Sequence, residues 1–230
     1  MIMKKHLLLF VAALLPVIAV TTLTSCSKEK NVVDPDEEIA DNVLKVTEVV
    51  VTVDANGNAD GGHRFQKIGE NDFYIDDIKY TVQNGNLNVS GYNNTAFAGT
   101  ARIISTLKYG GKTMNVVGIG KEAFSLCTKL TAVSIPKGVK NIGNSAFSYC
   151  RKLALVAIGE SVTSIGSEAF GSCSALTNFY CYAENVPTTD SSAFNNAPTT
   201  SSILHAPEGS VNYYRSVSPW NSFGKVVAIK

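Results

Sequence analysis

A chain of 230 residues, 45% hydrophobic and 17% charged, has an ordinary globular balance and is long enough for one or two domains with a conventional core. Its formal net charge is +1, and no run of Lys or Arg is longer than Lys4-Lys5. A phosphate backbone needs clustered cations, so nucleic acid is not an expected partner.

Residues 1–25 read as a targeting segment. Lys4 and Lys5 precede an apolar run over residues 7–20, broken only by Pro16. This run is shorter than the ~20 residues of a spanning helix. Leu23-Thr24-Ser25-Cys26 follows and resembles a lipobox, the cleavage site of a lipoprotein signal peptidase. The resemblance implies that Cys26 carries a diacylglycerol group and becomes the mature N-terminus. Cleavage would remove two lysines and no acid, leaving a charge of −1. Acyl chains, not charge, would then hold the protein to the membrane. Residues 26–43 carry Lys28, Glu29, Lys30, Asp34, Asp36, Glu37 and Glu38 with few large apolar side chains, and read as a flexible tether. At ~5–6 Å × √n it would hold the fold ~20–25 Å from the bilayer.

Residues 44–115 read as a β-rich N-terminal cap with lead-in coils. Residues 45–53 form a Val-rich strand whose partner the sequence does not fix; the hairpin that follows is one candidate. Asp54-Ala55-Asn56-Gly57-Asn58-Ala59-Asp60-Gly61 alternates oxygen-bearing side chains as a calcium loop does. Ala59 and Phe65, however, stand where an EF-hand needs Gly and Glu. A polar turn is the first reading, with calcium left open. Residues 73–82 read as a hairpin turning at Asp76-Asp77. Tyr109-Gly110-Gly111-Lys112 reads as a second tight turn. Val89, Ile103 and Ile104 belong to lead-in coils.

Residues 116–206 are dominated by a repeat. Phe124, Phe147 and Phe170 recur every 23 positions, as do Cys127, Cys150 and Cys173, and Leu130, Leu153 and Leu176. The same step relates Val116, Val139 and Val162, and Ile119, Ile142 and Ile165. A shared period at many positions signals a solenoid. Within one unit Val133 and Ile135 alternate as in a strand, and Pro136 ends it because it has no N–H to donate. Val139 and Ile142 form a second apolar edge, and Gly143 is read as allowing a corner. Ala146, Phe147 and Cys150 suit a short helical turn facing inward. One unit cannot bury enough apolar surface to offset its ordering entropy, so units must stack.

The run Ile119-Gly120-Lys121-Glu122-Ala123-Phe124-Ser125-Leu126-Cys127-Thr128-Lys129-Leu130, with its copies from Ile142 and Ile165, resembles the BspA-like leucine-rich repeat family of bacterial surface proteins. The resemblance spans about residues 70–230. It implies a leucine-rich-repeat solenoid, mainly β with short helical turns, on a cell surface and serving adhesion. The last coil departs from the pattern: Ala193-Phe194 arrives after 24 residues and Ala197 replaces the Cys. Residues 207–230 then read as a cap. A short helix spans residues 208–217, with Tyr213 and Tyr214 covering the end of the core. Trp220, Phe223, Val226, Val227 and Ile229 form a closing loop and strand.

The candidate chemistry is sparse. The repeat cysteines share no register with a His, so a zinc site is not expected. Buried thiols are the favoured reading, with a disulfide left open. Glu122 and Glu168 occupy one repeat position, which makes them turn residues rather than an acid–base pair. No nucleophile, metalloprotease or phosphate-loop motif occurs, so the chain reads as a non-enzyme without cofactor or metal. What remains is the outward face of the strands. Ser134, Ala157, Tyr180 and His205 form one row, and Ala132, Leu155, Asn178 and Ile203 the next. Ser134, Leu155, Ala157, Asn178, Tyr180, Tyr182 and His205 are the expected binding face. A long rigid face suits a protein ligand. A glycan is the alternative, with Tyr180, Tyr182 and Trp220 as sugar platforms, and a periplasmic scaffold without external ligand is the third reading. The expected form is a monomer anchored to the outer membrane and exposed at the surface.

Overall fold

The computed structural model of the chain describes residues 48–93 and 97–229. The expected signal segment, Cys26, the tether and the start of the Val-rich segment lie outside the described residues.

Each of the four coils over residues 99–189 contributes a strand to each of two sheets. The wider strands are β6 (Gly99–Arg102), β9 (Leu130–Ile135), β11 (Leu155–Ile158), β13 (Asn178–Cys181), β15 (Ile203–Ala206) and β16 (Lys225–Ala228), which pair in that order, all parallel. The second edge of the coils is a ladder of two-residue strands. It consists of β10 (Asn141–Ile142), β12 (Ser164–Ile165) and β14 (Thr188–Thr189), built in parallel onto the end of β8 (Lys112–Ile119). Parallel pairing one coil apart puts every repeat position beside its own copy, and the sequence period therefore becomes a spatial column.

The segment between the two edges differs from the expected helical turn. It is a run of hydrogen-bonded turns in which alternate amides serve different coils. Ala146, Ser148 and Cys150 donate to carbonyls three residues back, whereas Ser145, Phe147 and Tyr149 donate to Ser167, Ala169 and Gly171 of the next coil at 2.7–2.8 Å. Ser145 and Tyr149 adopt left-handed backbone (φ 55° and 60°), as do their copies Glu122, Leu126, Glu168 and Ser172. A helix would spend these donors within its own coil; here they extend the inter-coil ladder. The i, i+1, i+4 spacing correctly marks the inward side chains but carries no information about the amides.

Inside, Phe124, Phe147, Phe170 and Phe194 form one stack, with centroids 5.1, 5.3 and 5.8 Å apart and planes within 14° of parallel. Tyr92 continues it toward the N-terminus at 5.8 Å. Gly143 is required for close approach rather than for a special φ: a Cβ there would lie 2.6 Å from the Lys121 backbone nitrogen.

Both ends of the core are closed. At the N-terminal side β2 (Phe65–Lys67), β3 (Asp72–Ile75), β4 (Ile78–Gln83) and β5 (Asn86–Tyr92) form an antiparallel meander that joins β8. The expected turns are present, with φ of 49° and 68° at Asp76-Asp77 and 58° and 72° at Gly110-Gly111. The Val-rich segment contributes β1 (Val50–Thr52), which pairs with β7 (Thr106–Tyr109) and not with the 73–82 hairpin; β7 in turn pairs with β8. At the C-terminal side the helix α1 (Val211–Ser216) brings Tyr214 into the core, while Tyr213 stays exposed. Trp220 is fully buried against Phe179, Phe194 and Tyr214.

Candidate functional site

Strand register brings the expected rows together. Ser134, Ala157, Tyr180 and His205 are successive partners across β9, β11, β13 and β15, and Ala132, Leu155, Asn178 and Ile203 form the row beside them. Val133, Val156, Phe179 and Leu204 between the rows point into the core. Ala132, Ala157 and Tyr180, with Leu155 and Tyr182 packed on them, form a second apolar cluster on the opposite face of the sheet.

Two contacts at this face were not visible in the sequence. The Tyr180 and His205 rings stack with centroids 4.0 Å apart and planes 10° apart. The His205 Nε2–H donates to Asn178 Oδ1 at 2.9 Å, which ties the two rows together diagonally. Strand alternation shows which residues share a face, but a diagonal contact depends on rotamers. The face is also more shielded than expected for an open surface. Ala157 is fully buried, and Ser134, Asn178, Tyr180 and His205 are each less than a tenth exposed; Leu155 and Tyr182 are half-buried.

Other sequence candidates resolve differently. Trp220 is a core residue whose Nε1–H donates to Thr189 Oγ1 at 3.1 Å, so it offers no platform to a sugar. In the Asp54–Asp60 loop the Asp54 carboxylate accepts the backbone N–H of Asn56 and Asn58 at 2.9 and 2.8 Å, and the Asn58 amide at 3.2 Å. Asp60 Oδ1 accepts the Thr52 N–H at 2.8 Å. These hydrogen bonds hold both carboxyls below the usual range. The loop is thus a carboxylate-capped turn on β1. Among the described residues no three His, Cys, Asp or Glu side chains converge as a metal site would require.

The four described cysteines are free and buried. Cys150 Sγ donates to the Phe124 carbonyl and Cys173 Sγ to the Phe147 carbonyl, at 3.1 and 3.2 Å, so each thiol bonds the preceding coil. Burial pushes the Cys173 thiol up to about 12, far from a reactive thiolate.

A 23-residue sequence period turned into parallel strand ladders, with a continuous aromatic and aliphatic interior, defines a leucine-rich-repeat solenoid. Residues 93–214 match the BspA type leucine rich repeat region in six copies, and the chain belongs to that family. It is similar to a leucine-rich repeat protein from Bacteroides capillosus, with 25% identity and a TM-score of 0.52 over 60% of this chain and 99% of that one. A leucine-rich repeat protein from Bacteroides ovatus shares 27% identity at a TM-score of 0.48, over 68% of this chain but only 41% of its own length. A leucine rich cell surface protein from Faecalibacterium prausnitzii shares 22% identity at a TM-score of 0.45, over 72% of this chain and 43% of its own. No functionally curated protein matches the chain.

Proposed function

We propose that this chain is a non-enzymatic binding module, anchored through Cys26 at the outer membrane surface, that takes a protein partner on the face built by Ser134, Leu155, Ala157, Asn178, Tyr180, Tyr182 and His205. The observation that carries the reading is the second apolar cluster, which sits outside the main core and presents the partly exposed Leu155 and Tyr182 beside the stacked Tyr180–His205 pair. The interior is complete without it. Aromatic side chains with a polar end are what interface centres use. A solenoid holds such a row rigidly on parallel strands, so little ordering cost falls on binding.

The test is to probe protein and glycan arrays with the full chain and with a variant carrying Tyr180→Ser and His205→Ala. Binding to protein spots that falls about tenfold or more in the variant supports the reading. Binding to oligosaccharides alone, or equal binding by the variant, defeats it. Absence of any array partner, with the chain inaccessible to protease on intact cells, would favour a periplasmic scaffold.

A further inference from the structure

A cleft of about 540 Å³ opens between the tips of the β4–β5 and β7–β8 hairpins and shares no residue with the strand face described above. Its size falls within the ~300–1,000 Å³ of small-ligand sites. The floor is apolar: Phe73, Val82, Tyr109 and Met114. Phe65, Phe73 and Tyr109 interlock with centroids 5.0–5.6 Å apart, which fixes the two rings that line it. The walls are tight hairpins, closed by Gly85 (φ 75°) and by Gly110 and Gly111 (φ 58° and 72°), so the cleft is preformed.

Strand register arms this floor with charge. Lys67 pairs directly with Phe73, and Tyr109 with Lys112. Directly opposed residues share a face of the sheet, so each pair sets an ammonium beside an aromatic ring. Lys67 Nζ stands 6.0 Å from the centre of the Tyr109 ring. Glu70, Asn71 and Thr113 complete the rim with a carboxylate, an amide and a hydroxyl. Among the described residues the ion pairs employ His63, Arg64, Lys79, Lys121 and Lys137; Lys67, Lys112 and Glu70 enter none of them.

We infer that this cleft binds an acidic saccharide, a pyranose unit bearing a carboxylate. The C–H face of a sugar ring matches the partly exposed Tyr109 ring, which the buried Phe73 holds from beneath. Its hydroxyls both donate and accept, which fits Glu70, Asn71 and Thr113 together. Its carboxylate meets the excess positive charge of Lys67 and Lys112. A lipid chain would leave this polar rim desolvated, and a metal ion would find a single carboxylate. The inference stands independently of the strand-face reading.

Isothermal titration of the full chain in detergent with galacturonate, glucuronate and N-acetylneuraminate oligosaccharides, each beside a neutral counterpart, tests it. At least one acidic saccharide is expected to bind. Its affinity should fall about tenfold or more in a Lys67→Met, Lys112→Met double variant. Its neutral counterpart should bind the native chain no better than that variant binds the acid. Lys140→Met, outside the cleft, and His205→Ala, on the strand face, should bind as the native chain does. The inference is overturned if none of the acidic saccharides binds, if the double variant binds equally well, or if the neutral sugar binds as tightly.

Discussion

The rings of Phe147 and Phe170 lie 5.3 Å apart and within 3° of parallel, although 23 residues separate them in the chain. The spacing is close to the ~4.8 Å between neighbouring strands, so ring and backbone stack in step. Phe147 contacts an aromatic ring on each side, and nothing can collapse into its place without shifting a coil. Phe147→Ala should therefore cost about 3–5 kcal/mol, and Phe147→Leu less. Tyr149→Ala, at an exposed position two residues away, should stay within about 0.5 kcal/mol. Denaturant unfolding measures all three, and equal losses at 147 and 149 would contradict the stacked column.

Gly143 lies against the backbone of the preceding coil, with room for hydrogen only. Gly143→Ala should destabilise by about 1–3 kcal/mol, because backbone cannot give way as a side chain can. Gly209 has open space and no positive φ, so Gly209→Ala should change stability by less than about 0.5 kcal/mol. A shift in thermal midpoint as large for the second variant as for the first would remove the close-approach argument.

The thiols set a limit at high pH. Burial pushes Cys173 up to about 12 and Cys181 up to about 11, against an ordinary value of 9.0. A raised value means that the fold favours the neutral thiol. The contribution is intact below pH 9.0 and is lost as pH rises toward 11 and 12, where the unfolded chain ionises its thiols and the folded chain resists. Denaturant melts at about pH 8 and about pH 10 should show this fall, and Cys173→Ala with Cys181→Ala should reduce it, the remainder coming from Cys127 and Cys150, which burial also pushes up. A fall of equal size in the double variant would place its cause elsewhere.

The Asp54 carboxylate is already satisfied by Asn56 and Asn58. Millimolar calcium should leave the thermal midpoint unchanged. Because hydrogen bonds hold this carboxyl below 3.8, the turn is intact above that value and loosens as pH falls through the depressed one. Protection factors of the Asn56 and Asn58 amides, taken by NMR as observed exchange relative to the intrinsic rate at each pH, should fall on that side only. A calcium-induced rise of several degrees would restore the cation-loop reading.

The proposed lipid attachment at Cys26 can be tested directly in cells. Labelled palmitate should enter the native chain and not a Cys26→Ser variant, and the variant should leave the membrane fraction. Label retained by the variant would remove Cys26 as the attachment point.

Periodicity alone determined that this chain is a stacked solenoid. Eight or so positions sharing one step of 23 can bury a continuous core only if every copy lies beside the next. It also placed the inward residues, both glycine and aspartate hairpin turns, and the membership of the strand rows, because these follow from local alternation and backbone preference. Tertiary structure decided the rest. The amides of the turn layer reach the neighbouring coil instead of closing a helix, β1 pairs with β7, and Trp220 is enclosed by the cap. The Tyr180–His205–Asn178 contacts and the cleft over Phe73 and Tyr109 join residues from different strands. Each of these depends on which distant segment comes to lie alongside, and a one-dimensional pattern holds that information only where the segments are copies of one another.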